Sequence, residues 1–164
     1  MLAEDIPDWL QVQIDKVHDL GLFEADKKAN HVLINEYLPG QGISPHLDGN
    51  LFHPIIATIS LGSHTVLNYY EPLTEHDKHE SSQCPSLEQR LKFKLFVPQR
   101  SLILIQAQMF SHFLHGIEEI EEDNLTDDKL VVPKGQEMCN GQRKTRVSLT
   151  IRHVPKTRKI KIKF

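Results

Sequence analysis

The spacing of apolar positions changes once along the chain. Over residues 7–20, Trp9, Val12, Lys16, Val17 and Leu20 recur at intervals of three and four. That spacing predicts one amphipathic helix, opened by Pro7 in the first turn and stopped by Gly21. From about residue 31 the period becomes two. HVLINEYL (31–38), PIIATISL (54–61), HTVLNYYE (64–71), LKFKLFV (91–97), SLILIQA (101–107) and KTRVSLTIRHV (144–154) each predict a strand. Short strands without interleaved helices predict a mainly β fold, a sandwich, barrel or jelly roll with the N-terminal helix packed against it. Residues 72–90 and 118–143 interrupt the pattern. The first holds the polar run TEHDKHESSQCPS and predicts a surface insertion; the second, opening EEIEEDNLTDDK, predicts a long charged loop.

At 164 residues the chain is expected to be one domain, 1–164. No apolar run approaches the ~20 residues that span a bilayer, so no membrane partner is expected. The start, MLAEDIPDWL, lacks the basic and apolar regions of a signal peptide. Cys84 and Cys139 are 55 residues apart with no C-x-x-C, which excludes a disulfide framework. They are expected to be free thiols in a reducing compartment, cytoplasmic or nuclear. Charge is unevenly placed. Residues 141–164 hold nine Lys/Arg and no Asp/Glu, so the first 140 residues sum to −12, nine below the whole-chain −3. A basic tail on an acidic body suits a phosphate contact, RNA or DNA, and equally a lysine-protected edge strand. Ten histidines are many for a chain with so few aromatic residues.

Three stretches carry candidate chemistry. In the first, His46 and Asp48 are two apart, and on extended backbone both point to the same side. They make two-thirds of a two-His, one-carboxylate set that holds Fe(II) and leaves positions open. In the second, Arg146, Ser148, Thr150 and Arg152 alternate with Val147, Leu149 and Ile151. This is either an outer strand with a solvated polar face, or a row whose two guanidiniums, roughly 20 Å apart, bracket an elongated dicarboxylate. The third is FSHFLHGI, where the second histidine is His115 or His112; His115 follows an apolar strand and precedes Gly116. Tyr69 and Tyr70 are substrate-stacking candidates, although a strand normally turns one of such a pair to the core. Glu75–Glu80 holds an H-x-x-H in a polar loop and is expected to be solvated surface.

Taken together and in order, these motifs resemble a known family. N-x-Y-x-x-G-x(5)-H-x-D at 35–48, SLGSHTVLNYYEP at 60–72, LHGI at 114–117 and R-x-S-x-T-x-R at 146–152 are similar to AlkB-type Fe(II)/2-oxoglutarate dioxygenases over residues 8–155. The resemblance implies a double-stranded β-helix (jelly roll). It implies His46, Asp48 and His115 as ligands of Fe(II). It implies Arg146 and Tyr37 at the distal carboxylate of 2-oxoglutarate, Asn35 and Arg152 near the carboxylate and keto end bound at the iron, and Ser148 and Thr150 as further co-substrate-binding residues. Ser148 stands where the family has Asn. The implied reaction takes dioxygen and 2-oxoglutarate and hydroxylates a C–H bond, which on an N-methyl group of nucleic acid ends in demethylation and formaldehyde. A protein side chain is the alternative substrate, and a non-catalytic binding module that keeps the fold is the alternative class. Gly49 and Asn50 replace the acidic residues that follow H-x-D in DNA-repairing relatives. The family's N-terminal lid is expected to be missing from a chain that enters its helix this early.

Overall fold

The computed structural model describes residues 5–75, 77, 84–136, 138 and 140–155. The chain begins with helix α1 (Asp8–Asp19) and continues through nine strands. These are β1 (His31–Tyr37), β2 (Ile43–His46), β3 (Ile55–Leu61), β4 (Thr65–Tyr70), β5 (Leu91–Val97), β6 (Ser101–Gln106), β7 (Leu114–Ile117), β8 (Leu130–Val131) and β9 (Arg146–Arg152). They form two sheets, ordered β1-β9-β3-β6 and β2-β7-β4-β5-β8. All pairings are antiparallel except that of β5 with β8. This is the jelly-roll architecture that the alternating strands predict.

Helix α1 lies on the outer face of the first sheet. Ile14 and Val17 are buried there against Ala57 of β3 and Ile151 of β9, with Phe23 and Ala29 closing the cluster. Gly21 ends the helical segment at φ +71°, a conformation open to glycine without a Cβ penalty. The helix is where the pattern predicts it, but its inner face is not. Leu10, Ile14 and Val17 are the buried row, whereas Trp9, Val12 and Leu20 are exposed, Leu20 by 63%. Both rows satisfy a three-and-four spacing, and the second aliphatic row is the one that meets the sheet.

Strand β9 carries the organising alternation. Leu149 and Ile151 are buried toward the helix side, while Arg146, Ser148, Thr150 and Arg152 turn into the space between the sheets. It is a central strand, flanked by β1 and β3 along its length. The outer, solvated placement is therefore excluded. The polar row faces inward because the sandwich encloses a cavity beside its apolar clusters.

Three short strands, β2, β7 and β8, escaped the period-two pattern. β2 is four residues long and contains Pro45, and β7 is four residues long and contains Gly116. Gly42 and Gly116 let β2 and β7 approach. A Cβ on Gly116 would fall 2.8 Å from the Ile43 carbonyl oxygen, and one on Gly42 would fall 2.2 Å from that of Ile117. Among its described residues the 118–143 segment is a loop, as its charge predicts, apart from β8 and a single bridge between Glu122 and Gln142. Its neck is closed by Arg143, which donates from Nε and Nη2 to the two carboxylate oxygens of Asp123 at 2.8 and 2.6 Å and from Nη1 to the Glu118 carbonyl. His64 Nε2 lies 3.2 Å from the same carboxylate, so the β3–β4 turn is tied to the loop. The H-x-x-H histidines, Cys139 and the basic tail 156–164 lie outside the described residues; Cys84 is exposed and free.

Candidate metal and 2-oxoglutarate site

Sheet pairing brings the His-Asp-His set together. β2 and β7 pair with His46 directly opposite His115, and their rings are 4.6 Å apart between centroids. Asp48 follows β2 by two residues. The ligand atoms of His46, Asp48 and His115 all lie within 4.8 Å of one another. His112, the alternative histidine, is half exposed and bonds Glu71 at 2.9 Å, away from this cluster. His112 caps the helical turn Gln108–Ser111, before β7 begins, whereas His115 lies within β7.

The protonation chemistry suits a divalent cation. His46 Nδ1 donates to the Ser44 carbonyl at 2.9 Å, which leaves Nε2 with its lone pair outward. Burial pushes the His115 imidazole down to about 4, against the raising influence of Asp48, so it is neutral at physiological pH. The Asp48 oxygens have separate neighbours: Oδ2 lies 3.6 Å from His115 Nε2 and Oδ1 lies 3.5 Å from Arg152 Nη2. Two imidazole nitrogens, that of His115 neutral, and one carboxylate oxygen, with an arginine on the second oxygen, fit Fe(II) as a facial set with open positions.

Behind this set runs a cavity of about 100 Å³ lined from both sheets. Asn35, Tyr37, Thr58, Arg146, Ser148, Thr150 and Arg152 supply its polar wall, and Ile56, Leu67, Ile103 and Ile105 supply the apolar one. The register explains the polar row: Tyr37 pairs with Arg146, Asn35 with Ser148 and Ser60 with Ser148. Arg146 is the informative residue. It is 6% exposed, its guanidinium lies 5.4 Å from the Tyr37 ring centroid, and Nη2 donates to Ser60 Oγ at 2.8 Å. Its Nε has no partner, and among the described residues no carboxylate lies within ion-pair reach of it. Burial draws its pKa down. A buried cation without an anion is costly, and a ligand carboxylate would supply what is missing. The cavity thus fits an elongated dicarboxylate, held at one end by Arg146 and open to the metal set at the other.

All nine residues expected at the metal and co-substrate positions line this one cavity. Tyr69 and Tyr70 are not among the residues that line it. Both are buried, at 3% and 4% exposure. Tyr69 stacks on Phe93 at 4.7 Å and packs beside His115, and burial followed by the Asp48 charge pushes its phenol up to about 12. The Tyr70 hydroxyl accepts from Asn68 Nδ2. β4 is buried along its whole length, with β5 and β7 as its hydrogen-bonded neighbours. Ser60 and Thr58 were not anticipated. Their signal was present in PIIATISL, whose Ile56, Thr58 and Ser60 share one side of the strand.

The model of the 2OG-Fe(II) oxygenase superfamily matches residues 2–152. The chain belongs to that superfamily. It is 45% identical over 158 residues, 95% of its length, to a Danio rerio protein named "Probable RNA/DNA demethylase ALKBH6". It is 29% identical over 93% of its length to the Xenopus tropicalis "tRNA (carboxymethyluridine(34)-5-O)-methyltransferase alkbh8". The chain spans 66% of the first relative and 22% of the second. Among solved structures it is similar to OsALKBH1, with a TM-score of 0.51 and 14% identity, covering 91% of this chain and 65% of that one. That likeness is one of fold, and it agrees with the double-stranded β-helix read from the strands. The AlkB-type resemblance carried by the four motifs therefore stands, and with it Fe(II) and 2-oxoglutarate as the superfamily's cofactor and co-substrate.

Proposed function

We propose that this chain is a single catalytic domain, an Fe(II)- and 2-oxoglutarate-dependent dioxygenase that demethylates alkylated nucleic acid in the cytoplasm or nucleus. The observation that carries the reading is the pairing of an open His-Asp-His set with a buried, anion-less Arg146 in one cavity. In this reading His46, Asp48 and His115 hold the iron. Arg146 and Tyr37 take the distal carboxylate of 2-oxoglutarate, with Ser60 orienting the guanidinium. Arg152, Asn35, Ser148 and Thr150 line the path to the metal. When bound, iron and 2-oxoglutarate supply the oxidation of a C–H bond by dioxygen, coupled to decarboxylation of the co-substrate to succinate. The chain's own groups bind, orient and keep water out. The Ser44 carbonyl fixes the tautomer of His46, and Ile56, Leu67, Ile103 and Ile105 keep the cavity wall dry.

Nucleic acid is favoured as substrate by the names of the AlkB relatives and by the basic segment that follows β9. Val154 is anchored to Asn30, and His153 to Lys28 and His53, so the last described residues are tied to the 28–30 and 53 segments. Five of the nine residues 156–164 are Lys or Arg. Such a segment suits phosphates. The test is formaldehyde and succinate release from N-methylated RNA, N-methylated DNA and methylated peptide, each over a salt series. The expected result is release from a nucleic acid, steeply suppressed by salt and abolished by Asp48→Ala. Release from the peptide alone would move the reading to protein substrates. Binding of nucleic acid without release, by iron-loaded protein, would leave the non-catalytic module.

A further inference from the structure

Phe52 lies in the turn between Asp48 and β3, its amide bonded to the Gly49 carbonyl at 3.3 Å. Its ring lies against the guanidinium of Arg152, with Cζ 4.4 Å from the ring centroid. The face of a benzene ring is the negative end of its quadrupole, so this geometry is attractive. Arg152 is otherwise weakly held. Its side chain is only 12% exposed, and among the described residues its Nε has no partner and its one ion-pair contact is the 3.5 Å approach to Asp48 Oδ1. A guanidinium with five donors and one long carboxylate contact would pivot unless something else fixed its plane. The Phe52 ring is the group that does so. It also shields the arginine from water, which strengthens the attraction to Asp48. His31, 6.0 Å from the same ring, adds no competing charge, because burial and Arg152 both lower its pKa.

The orientation matters because of how Asp48 divides its oxygens. Oδ2 faces His115 and the metal position, and Oδ1 faces Arg152. If Arg152 swung away, the carboxylate would be free to rotate or to chelate through both oxygens, which consumes an open metal position. We propose that Phe52 is a positioning residue for the metal centre: it holds Arg152 on Asp48 Oδ1 and so keeps Asp48 presenting one oxygen to the cation. This rests on the metal-centre reading above. It assigns work to a loop residue that lies outside every motif used to recognise the site.

The test uses Co(II) alone, whose visible d–d spectrum reports coordination number without turnover. Wild type, Asp48→Ala, Phe52→Leu and Phe52→Tyr are titrated, with thermal unfolding of the metal-free proteins as the check on folding. Leucine keeps the bulk and removes the ring; tyrosine keeps the ring face. The expected result is a cooperative fold in all four and site binding lost in Asp48→Ala. Phe52→Leu should bind about fivefold more weakly, the size of a partly shielded cation–π contact, with an altered d–d envelope. Phe52→Tyr should restore both affinity and spectrum. A Phe52→Leu titration and spectrum matching wild type, with Asp48→Ala negative, would overturn the proposal and leave the metal centre standing. Weakening by leucine that tyrosine does not rescue would likewise overturn it, since bulk or loop integrity would then be the cause. Co(II) bound equally by wild type and Asp48→Ala would bring down the metal-centre reading itself.

Discussion

Arg146 states most plainly how this chain trades stability for function. A guanidinium buried with one serine and one phenol near it is an electrostatic debt until an anion arrives. Replacing a buried, incompletely paired charge by an apolar side chain of similar length is often neutral or stabilising. Arg146→Met is therefore expected to leave the apo protein at least as stable, by thermal unfolding, while weakening 2-oxoglutarate binding more than tenfold. A lowered melting temperature together with unchanged binding would refute the assignment. At this scale the sequence was informative wherever chemistry demands an uncommon residue pair at a fixed spacing. His46 and Asp48 were legible because two residues on extended backbone share a side, and Arg146 and Arg152 because six residues do too. Ser60 was hidden because a serine on a strand is unremarkable until a guanidinium is found 2.8 Å away. Tyr69 and Tyr70 are both buried where alternation predicts one buried ring, because β4 is buried along its whole length.

Elements built from the fewest residues do most to place the ligands. β2 and β7 are four residues each, too short for a period-two signal, and Pro45 argues against a strand. Yet their pairing sets His46 against His115, and it depends on Gly116 lying under the Ile43 carbonyl. Gly116→Ala places a methyl 2.8 Å from that oxygen and 2.9 Å from Pro45 N, both backbone. It is expected to cost about 2 kcal/mol in denaturant unfolding and to weaken metal binding, because β2 must shift. The loop clasp was equally invisible, since 118–143 reads as charge and no spacing links His64, Asp123 and Arg143. Burial pushes the Asp123 carboxyl up, but Arg143 and then His64 hold it below its ordinary 3.8. A depressed carboxylate gives stability that is present above the unfolded value and is lost as pH falls through the folded one. The clasp should therefore hold at neutral pH and weaken below about pH 4, by acid titration of the unfolding midpoint. Asp123→Asn should cost about 3 kcal/mol at neutral pH and flatten that dependence, because it strands a buried arginine.

At the scale of the molecule, an all-β sandwich usually hides apolar side chains between its sheets, and this one hides a polar row beside them. That arrangement explains why strand content was legible while the placement of β9 was left open. An alternating strand looks the same whether its polar face meets water or a ligand. The apolar face of β9 is satisfied by α1, so removing that contact should loosen the first sheet as a unit. Ile14→Ala, at 0% exposure, is expected to cost about 3 kcal/mol and to raise amide exchange in β3 and β9 together. The helix itself was foreseen and its buried face was not, because two aliphatic rows compete on one surface and only tertiary contact chooses between them. What joins the scales is one claim: the two sheets close on a site that takes a metal and a dicarboxylate at once. The most direct measurement is an anaerobic titration of the protein with Fe(II) and 2-oxoglutarate, following the visible metal-to-ligand charge-transfer band, with His46→Ala as control. A saturable band that appears only when both are present, is lost in His46→Ala and is weakened by Arg146→Met is the predicted result. Absence of the band from folded wild-type protein, or its persistence in His46→Ala, would contradict it.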